Sequence, residues 1–215
     1  MVGPVHHRSA PDPLTAEDQT AVAAAVGRAE ALTSAEIRIA VRTRPLLAPP
    51  LFPVVWAALI AMLTPWLLAL TVSLSAFDLL GVQALVFVAV CTILMLPQLA
   101  RRIVPKAAYR AVAREAALDQ FLAHGIAQTE GRTGILIYVA VQERLVEVVA
   151  DSGVHQLLGH DAWSEICAAV ATHAEQGHLG EGLVAAAERA GVLLSRHLPR
   201  TAGDTDALPN HVIRV

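Results

Sequence analysis

The sequence predicts an α/β protein, a small mixed sheet flanked by helices, with a two-helix transmembrane hairpin inserted after the first strand. Three observations carry that expectation. Residues 45–100 hold one charged side chain, Asp78. A short alternating segment, Glu36 to Arg42, precedes that stretch. A continuous apolar run, Gly134 to Val141, and a second strand-like run, Arg144 to Ala150, follow it.

Residues 1–13 read as a flexible N-terminal tail. Their sequence, MVGPVHHRSAPDP, has no apolar signal core, so no cleaved leader is expected. The folded part starts at Leu14. Thr15 followed three positions later by Asp18 is close to a capping box and opens a helix. Ala and Val dominate from 21 to 32, and Thr33 and Ser34 end the helix. From Glu36 to Arg42 the residues alternate. Ile37, Ile39 and Val41 share one face, as in a half-buried strand with Glu36 in solvent. Residues 14–44 form the first part of the domain.

The hairpin occupies 45–100, entered through Pro45, Pro49, Pro50 and Pro53. Two apolar blocks follow. Each is near the roughly 20 residues that span a ~30 Å hydrocarbon core at 1.5 Å per residue. Asp78 falls between them, where a tight turn is expected. Pro65 and Trp66 are expected mid-span and Trp56 near an interface. Arg38, Arg42 and Arg44 precede the hairpin, and Arg101, Arg102, Lys106 and Arg110 follow it. Cytoplasmic flanks attract such cations. The soluble part is therefore expected in the cytoplasm, with residues 51–100 in the lipid bilayer of a bacterial inner (plasma) membrane.

The remainder of the domain spans 101–199. A helix is expected from 106 to 127, then a connection through Thr129, Glu130, Gly131, Arg132 and Thr133. The uniformly apolar Gly134 to Val141 suits a central strand buried on both faces. Arg144 to Ala150 pairs with it as a hairpin, and Asp151-Ser152-Gly153 ends that strand. Helices follow over about 161–176 and 179–197. Pro199 stops the last, and 200–215 read as a C-terminal tail.

Composition excludes some functions. A net charge of −3 and 4% aromatic residues leave no basis for nucleic-acid binding. The two cysteines, Cys91 and Cys167, show neither metal nor redox spacing.

The segment Thr33-Ser34-Ala35-Glu36-Ile37-Arg38-Ile39 resembles the strand that opens TPM domains. Thr133-Gly134-Ile135-Leu136-Ile137-Tyr138-Val139 resembles the family's second strand. Glu143-Arg144 with Val146 to Val154 is similar to the E-R-x-x-E-I-V-A-D-x-G-I stretch of a bacterial branch of uncharacterised membrane proteins. Trp163 and Ala207-Leu208-Pro209 suit the same branch. The resemblance runs from about 14 to 212 and implies a TPM-like sandwich. It also implies two alternatives of function, since some members are assigned phosphatase activity while others are binding or assembly factors. Calcium is associated with some.

The residues themselves show no P-loop, no Cys nucleophile with a following Arg at cradle spacing, and no Asp pair at a strand end. The candidate functional loop is Glu36, Arg132, Asp151, Ser152 and Gly153. Asp151 follows a strand and is the candidate ligand for a hard cation such as Ca²⁺. Its alternative role is to cap the next turn. Arg132 either positions an anion or pairs with Glu130. His155, His160 and Asp161 match no metal spacing, and His173 and His178 are expected at the surface. Two functions follow. One is a membrane-anchored, non-catalytic binding, assembly or regulatory factor for another membrane protein. The alternative is a weak metal-assisted phosphomonoesterase.

Overall fold

In the computed structural model, which describes residues 13–158, 160–201 and 209–215, Thr15 opens the first helix with a full capping box. Its Oγ accepts from the Asp18 N–H at 3.0 Å, and the Asp18 carboxylate accepts from the Thr15 N–H at 2.9 Å. Helix α1 (Ala16–Glu30) thus satisfies donors that a helix start leaves open. The expected N-terminal tail lies almost wholly outside the described residues, as do Ala207 and Leu208.

The chain divides into two units. One joins the residues up to Pro45 with those from Ala113 onward, and the other is Leu46–Val112. In the first unit, β1 (Glu36–Arg42), β2 (Gly134–Ala140), β3 (Leu145–Ala150) and β4 (Ile213–Arg214) form one sheet in the order β3-β2-β1-β4. β1 runs parallel to β2 and β4, and β2 runs antiparallel to β3. The sheet is mixed, as the sequence predicts. It also gains a strand in the stretch read as a tail. The C-terminal segment is held at other points too: Thr33 Oγ donates to the Leu198 carbonyl at 2.6 Å, and Arg200 donates to the Glu30 carbonyl at 2.7 Å.

One sheet face carries Ile37, Ile39, Val41, Ile135, Ile137 and Val139 into a core with α1, α7 (Ser164–Glu175) and α8 (Leu179–Ser195). Each such side chain contributes about 1.5–3 kcal/mol through burial. The other face carries Leu136, Tyr138 and Ala140, all fully buried. Here lies the second half of α5 (Lys106–Ala123), with Ala113, Ala117 and Phe121 buried at a four-residue spacing. The pairing of Tyr138 with Glu147, and the 4.0 Å approach of Arg114 to Glu147, place α5 on this face. α5 ends before Gly125, whose φ of 67° is left-handed, so the helix is shorter than the apolar pattern suggests.

The alternation in β1 predicts one solvated face, and the structure corrects this. β1 is an inner strand with both faces covered, and Glu36 and Arg38 are only 8% and 3% exposed.

The second unit holds α2 (Leu51–Ala69), α3 (Ala76–Leu94) and α4 (Pro97–Ile103). α2 and α3 have mean hydropathies of 2.0 and 2.2, and each is long and apolar enough to cross a membrane. A core helix of that hydropathy is ordinarily buried, whereas α3 has no buried residue. The buried residues of α2 are Pro53, Ala57 and Ala61, a stripe of small side chains at four-residue intervals along one face of the helix. Two local expectations are corrected. Asp78 is not in the turn. It lies in the first turn of α3, where Ser75 accepts from its N–H at 3.2 Å, and its carboxylate suits the positive helix end. Trp66 lies in the last turn of α2 rather than mid-span.

Gly191 on α8 permits a close backbone approach to α1. A Cβ there would come within 2.6 Å of the Ala29 Cβ and 2.7 Å of its Cα. Gly191→Ala should therefore destabilise the protein by about 1–3 kcal/mol. Gly81→Ala on α3 meets nothing within 4 Å and should be neutral or slightly stabilising. Denaturant melts of the two full-length variants against the parent check the contrast.

Candidate functional site

The sheet brings the candidate residues to one end. Glu36 and Gly134 are partners at the start of the parallel β1–β2 pair. β3 runs the other way, so its exit at Ala150 returns to that same end, and the Asp151 N–H donates to the Gly134 carbonyl at 2.9 Å. Asp151 and Glu36 are thus drawn to the amino end of the parallel strands. Open α/β sheets usually bind ligands at the carboxyl end.

The connection before β2 packs against the residues after β3. Gly131 has φ 78° and Arg132 φ 53°, two successive left-handed residues. Gly takes that conformation freely. Arg does not, and such strain is held by surrounding structure. The holding contact is Gly153: a Cβ there would sit 2.6 Å from the Arg132 carbonyl oxygen and 2.8 Å from that of Gly131. Arg132, Asp151, Ser152 and Gly153 are therefore one local constellation. The Arg132 side chain is exposed. The side chain of Glu130, its expected ion-pair partner, lies outside the described residues.

Asp151 is the N-cap of α6 (Ser152–His155). Its Oδ1 accepts from the Ser152 N–H at 2.6 Å and the Ser152 hydroxyl at 3.1 Å. Its Oδ2 is shielded from solvent and has no hydrogen-bond partner among the described residues. A buried acceptor of this kind ordinarily finds a partner. A hard cation such as calcium takes about six to eight oxygen ligands. Among the described residues no three His, Cys, Asp or Glu side chains come together as a metal-ligand group. The side chains of His160 and Asp161 lie outside the described residues. His155 and His178 are exposed, while His173 is half-buried, its Nδ1 2.8 Å from the Ala169 carbonyl.

Sequence reasoning missed a polar group deeper in the same region. Glu30, at the end of α1 and 3% exposed, accepts from the Ile37 N–H at 2.7 Å through Oε1. Arg38 Nε and Nη1 are shielded without a hydrogen-bond partner among the described residues. Burial lowers the proton affinity of the Arg38 guanidinium, and the carboxylates of Glu30 and Glu36 oppose that effect. Burial likewise pushes the Tyr138 phenol above its ordinary range, against the nearby charge of Arg42. The uniformly apolar neighbour β2 was the available signal, because a strand paired beside one buried on both faces shares its covered faces.

This arrangement offers one partly satisfied carboxylate, an exposed guanidinium and a strained loop. The Ser152 hydroxyl and its own N–H both engage the adjacent Asp151 carboxylate.

An α/β sheet with this crossover defines the class, and comparison with known proteins refines it. The TPM domain model matches residues 96–193, a little under half of the chain. The match begins beside α4 and does not include the Thr33–Ile39 motif. A solved structure, the BA42 protein from the psychrophilic bacterium Bizionia argentinensis, is similar in fold. Its TM-score is 0.59 at 23% identity, covering 96% of this chain and 99% of that one. No curated protein gives a significant match.

Two outcomes are expected at this end of the sheet. Gly153→Ala should push the Gly131–Arg132 loop away and cost about 1–3 kcal/mol, read by denaturant melts. The second concerns His124, just beyond α5. His124 is exposed, and the slight desolvation it meets, then the charges of Arg38 and His211, hold its proton affinity below the ordinary imidazole value. The unfolded chain therefore binds that proton at higher pH. The stability contribution is present above the unfolded value of about 6.5 and is lost as pH falls toward the lower folded value. Melts across this range should show a shallower acid loss for His124→Gln than for the parent.

Proposed function

We propose that this chain is a membrane-anchored TPM-domain protein whose soluble part is a non-catalytic binding or assembly factor for another membrane protein. The observation that carries this reading is the strained Gly131–Arg132 loop resting on Gly153, beside an Asp151 oxygen that is shielded without a partner among the described residues. Strain at such a place fits a recognition surface better than a stability device. The anchor is the pair α2 and α3. Supporting it are their hydropathy, the exposure of their apolar side chains and the stripe of small buried residues on α2.

In this reading residues 14–44 and 101–199 form one domain on the cytoplasmic side of a bacterial inner membrane, with 45–100 as the hairpin. Flanking arginines and lysines favour that orientation. Membrane-impermeant thiol labelling in intact cells tests it on a Cys91→Ala, Cys167→Ala background. A cysteine at Ser73, in the connection between α2 and α3, should label from outside, and one at Thr201 only after lysis. Labelling of the Thr201 position in intact cells would reverse the orientation.

Catalysis is tested separately. Full-length protein in detergent should hydrolyse p-nitrophenyl phosphate no faster than buffer, with or without Ca²⁺ or Mg²⁺. Metal-dependent turnover abolished by Asp151→Asn would replace this reading with the phosphatase one. In the absence of a metal role, Asp151→Asn should also be nearly silent in stability, because Asn caps about as well as Asp. Asp151→Ala should cost about 1 kcal/mol.

A further inference from the structure

From Leu79 to Arg114 the sequence contains no acidic residue, and four cations, Arg101, Arg102, Lys106 and Arg110, fall within ten positions of it. All four side chains are exposed. The backbone that carries them is well anchored. Ala100, Val104 and Tyr109 are buried at 0%, 4% and 5% exposure, so the turn between α4 and α5 is fixed from one side while the cations leave from the other. α4 touches both α2 and α3, which sets this turn at the base of the hairpin.

The charge placement is unusual for a turn that serves only the fold. α4 ends with Arg101 and Arg102, where cations suit a helix C-terminus. α5 begins with Lys106 and has no acidic residue in its first turn. Lys106 and Arg110 stand one turn apart near the positive end of that helix, which disfavours both. An anionic surface at the same level would reverse the sign of these local costs. If α2 and α3 span a bilayer, that level is the lipid headgroup region, because Pro97 follows Leu94 after only Met95 and Leu96.

We infer that Arg101, Arg102, Lys106 and Arg110 form a docking surface for the phosphate headgroups of anionic phospholipids. The inference rests on the membrane-anchored reading above. A cation near such a surface is worth roughly a fivefold preference for anionic over neutral lipid. The four together favour retention of anionic lipid by well over tenfold.

The test uses full-length protein reconstituted in nanodiscs of equal phosphatidylglycerol and phosphatidylcholine, then partly delipidated in mild detergent. The retained lipids are counted by mass spectrometry. The parent should keep phosphatidylglycerol over phosphatidylcholine by tenfold or more. R101Q/R102Q/K106Q/R110Q should lose most of that enrichment, and K106Q/R110Q an intermediate part, which keeps the test decisive if the fourfold variant folds poorly. R28Q/R144Q/R189Q/R196Q removes the same charge elsewhere and should behave as the parent. Equal retention of the two lipids by the parent, unchanged enrichment in the lysine–arginine pair variant, or equal loss in the control would overturn the inference. So would displacement of the lipid by inorganic phosphate at matched ionic strength, which would indicate a site for free phosphate. Alkaline carbonate extraction of native membranes separates this failure from that of the anchor. Protein released into the supernatant contradicts membrane anchoring itself, whereas retained protein without lipid preference contradicts this inference alone.

Discussion

The parallel pairing of β1 with β2 is the constraint on which the rest of the molecule depends. The two strands align from Glu36 with Gly134 to Arg42 with Ala140, yet the whole second unit lies between them in sequence. A parallel pair requires a crossover of a dozen residues or more. Here the crossover carries α2, α3 and α4 before the helix α5 that covers the sheet. The hairpin is an addition to a connection that the topology already needs. It leaves the strand ladder intact, and the apolar faces of β1 and β2 enter one core.

That position of β1 has a chemical consequence. An inner strand is buried on both faces, so Glu36 and Arg38 leave water together with Glu30. Buried charges are tolerated when others of opposite sign stand close, and the glutamates partly offset the burial of the guanidinium. The same end of the sheet receives the exit of β3 and the tight Gly131–Arg132 connection. Polar groups, strain and a carboxylate oxygen without a partner among the described residues therefore gather where the two parallel strands begin, while the opposite sheet end is occupied by the Gln142-Glu143-Arg144 turn.

Much of this was legible in residue patterns. The charge gap from Pro45 to Ala100 marks the hairpin, Thr15 with Asp18 marks the first cap, and the apolar run after Thr133 marks the inner strand β2. Other features depend on tertiary context. Two-residue β4 has no period of its own and exists because β1 offers an open edge. Alternation in β1 could not reveal that α5 covers its second face. Asp151 and Gly153 stood out because Asp-Ser-Gly follows a strand, but nothing in the residue types signals that Arg132 takes a left-handed backbone beside them. Glu30 looked like any helix-end carboxylate, and only the turn into β1 brings it to the Ile37 amide.

Hydrogen exchange of the full-length protein in nanodiscs tests the shared sheet most directly. If β1 is an inner strand held by both halves of the chain, the amides of its inward ladder and those of Ile135–Val139 should exchange only through the same large opening. Their protection should then fall together as denaturant is added. Rapid exchange of Glu36–Arg42 while Gly134–Ala140 stays protected would show that the segment before the hairpin is not part of the sheet, and would contradict a domain built across it.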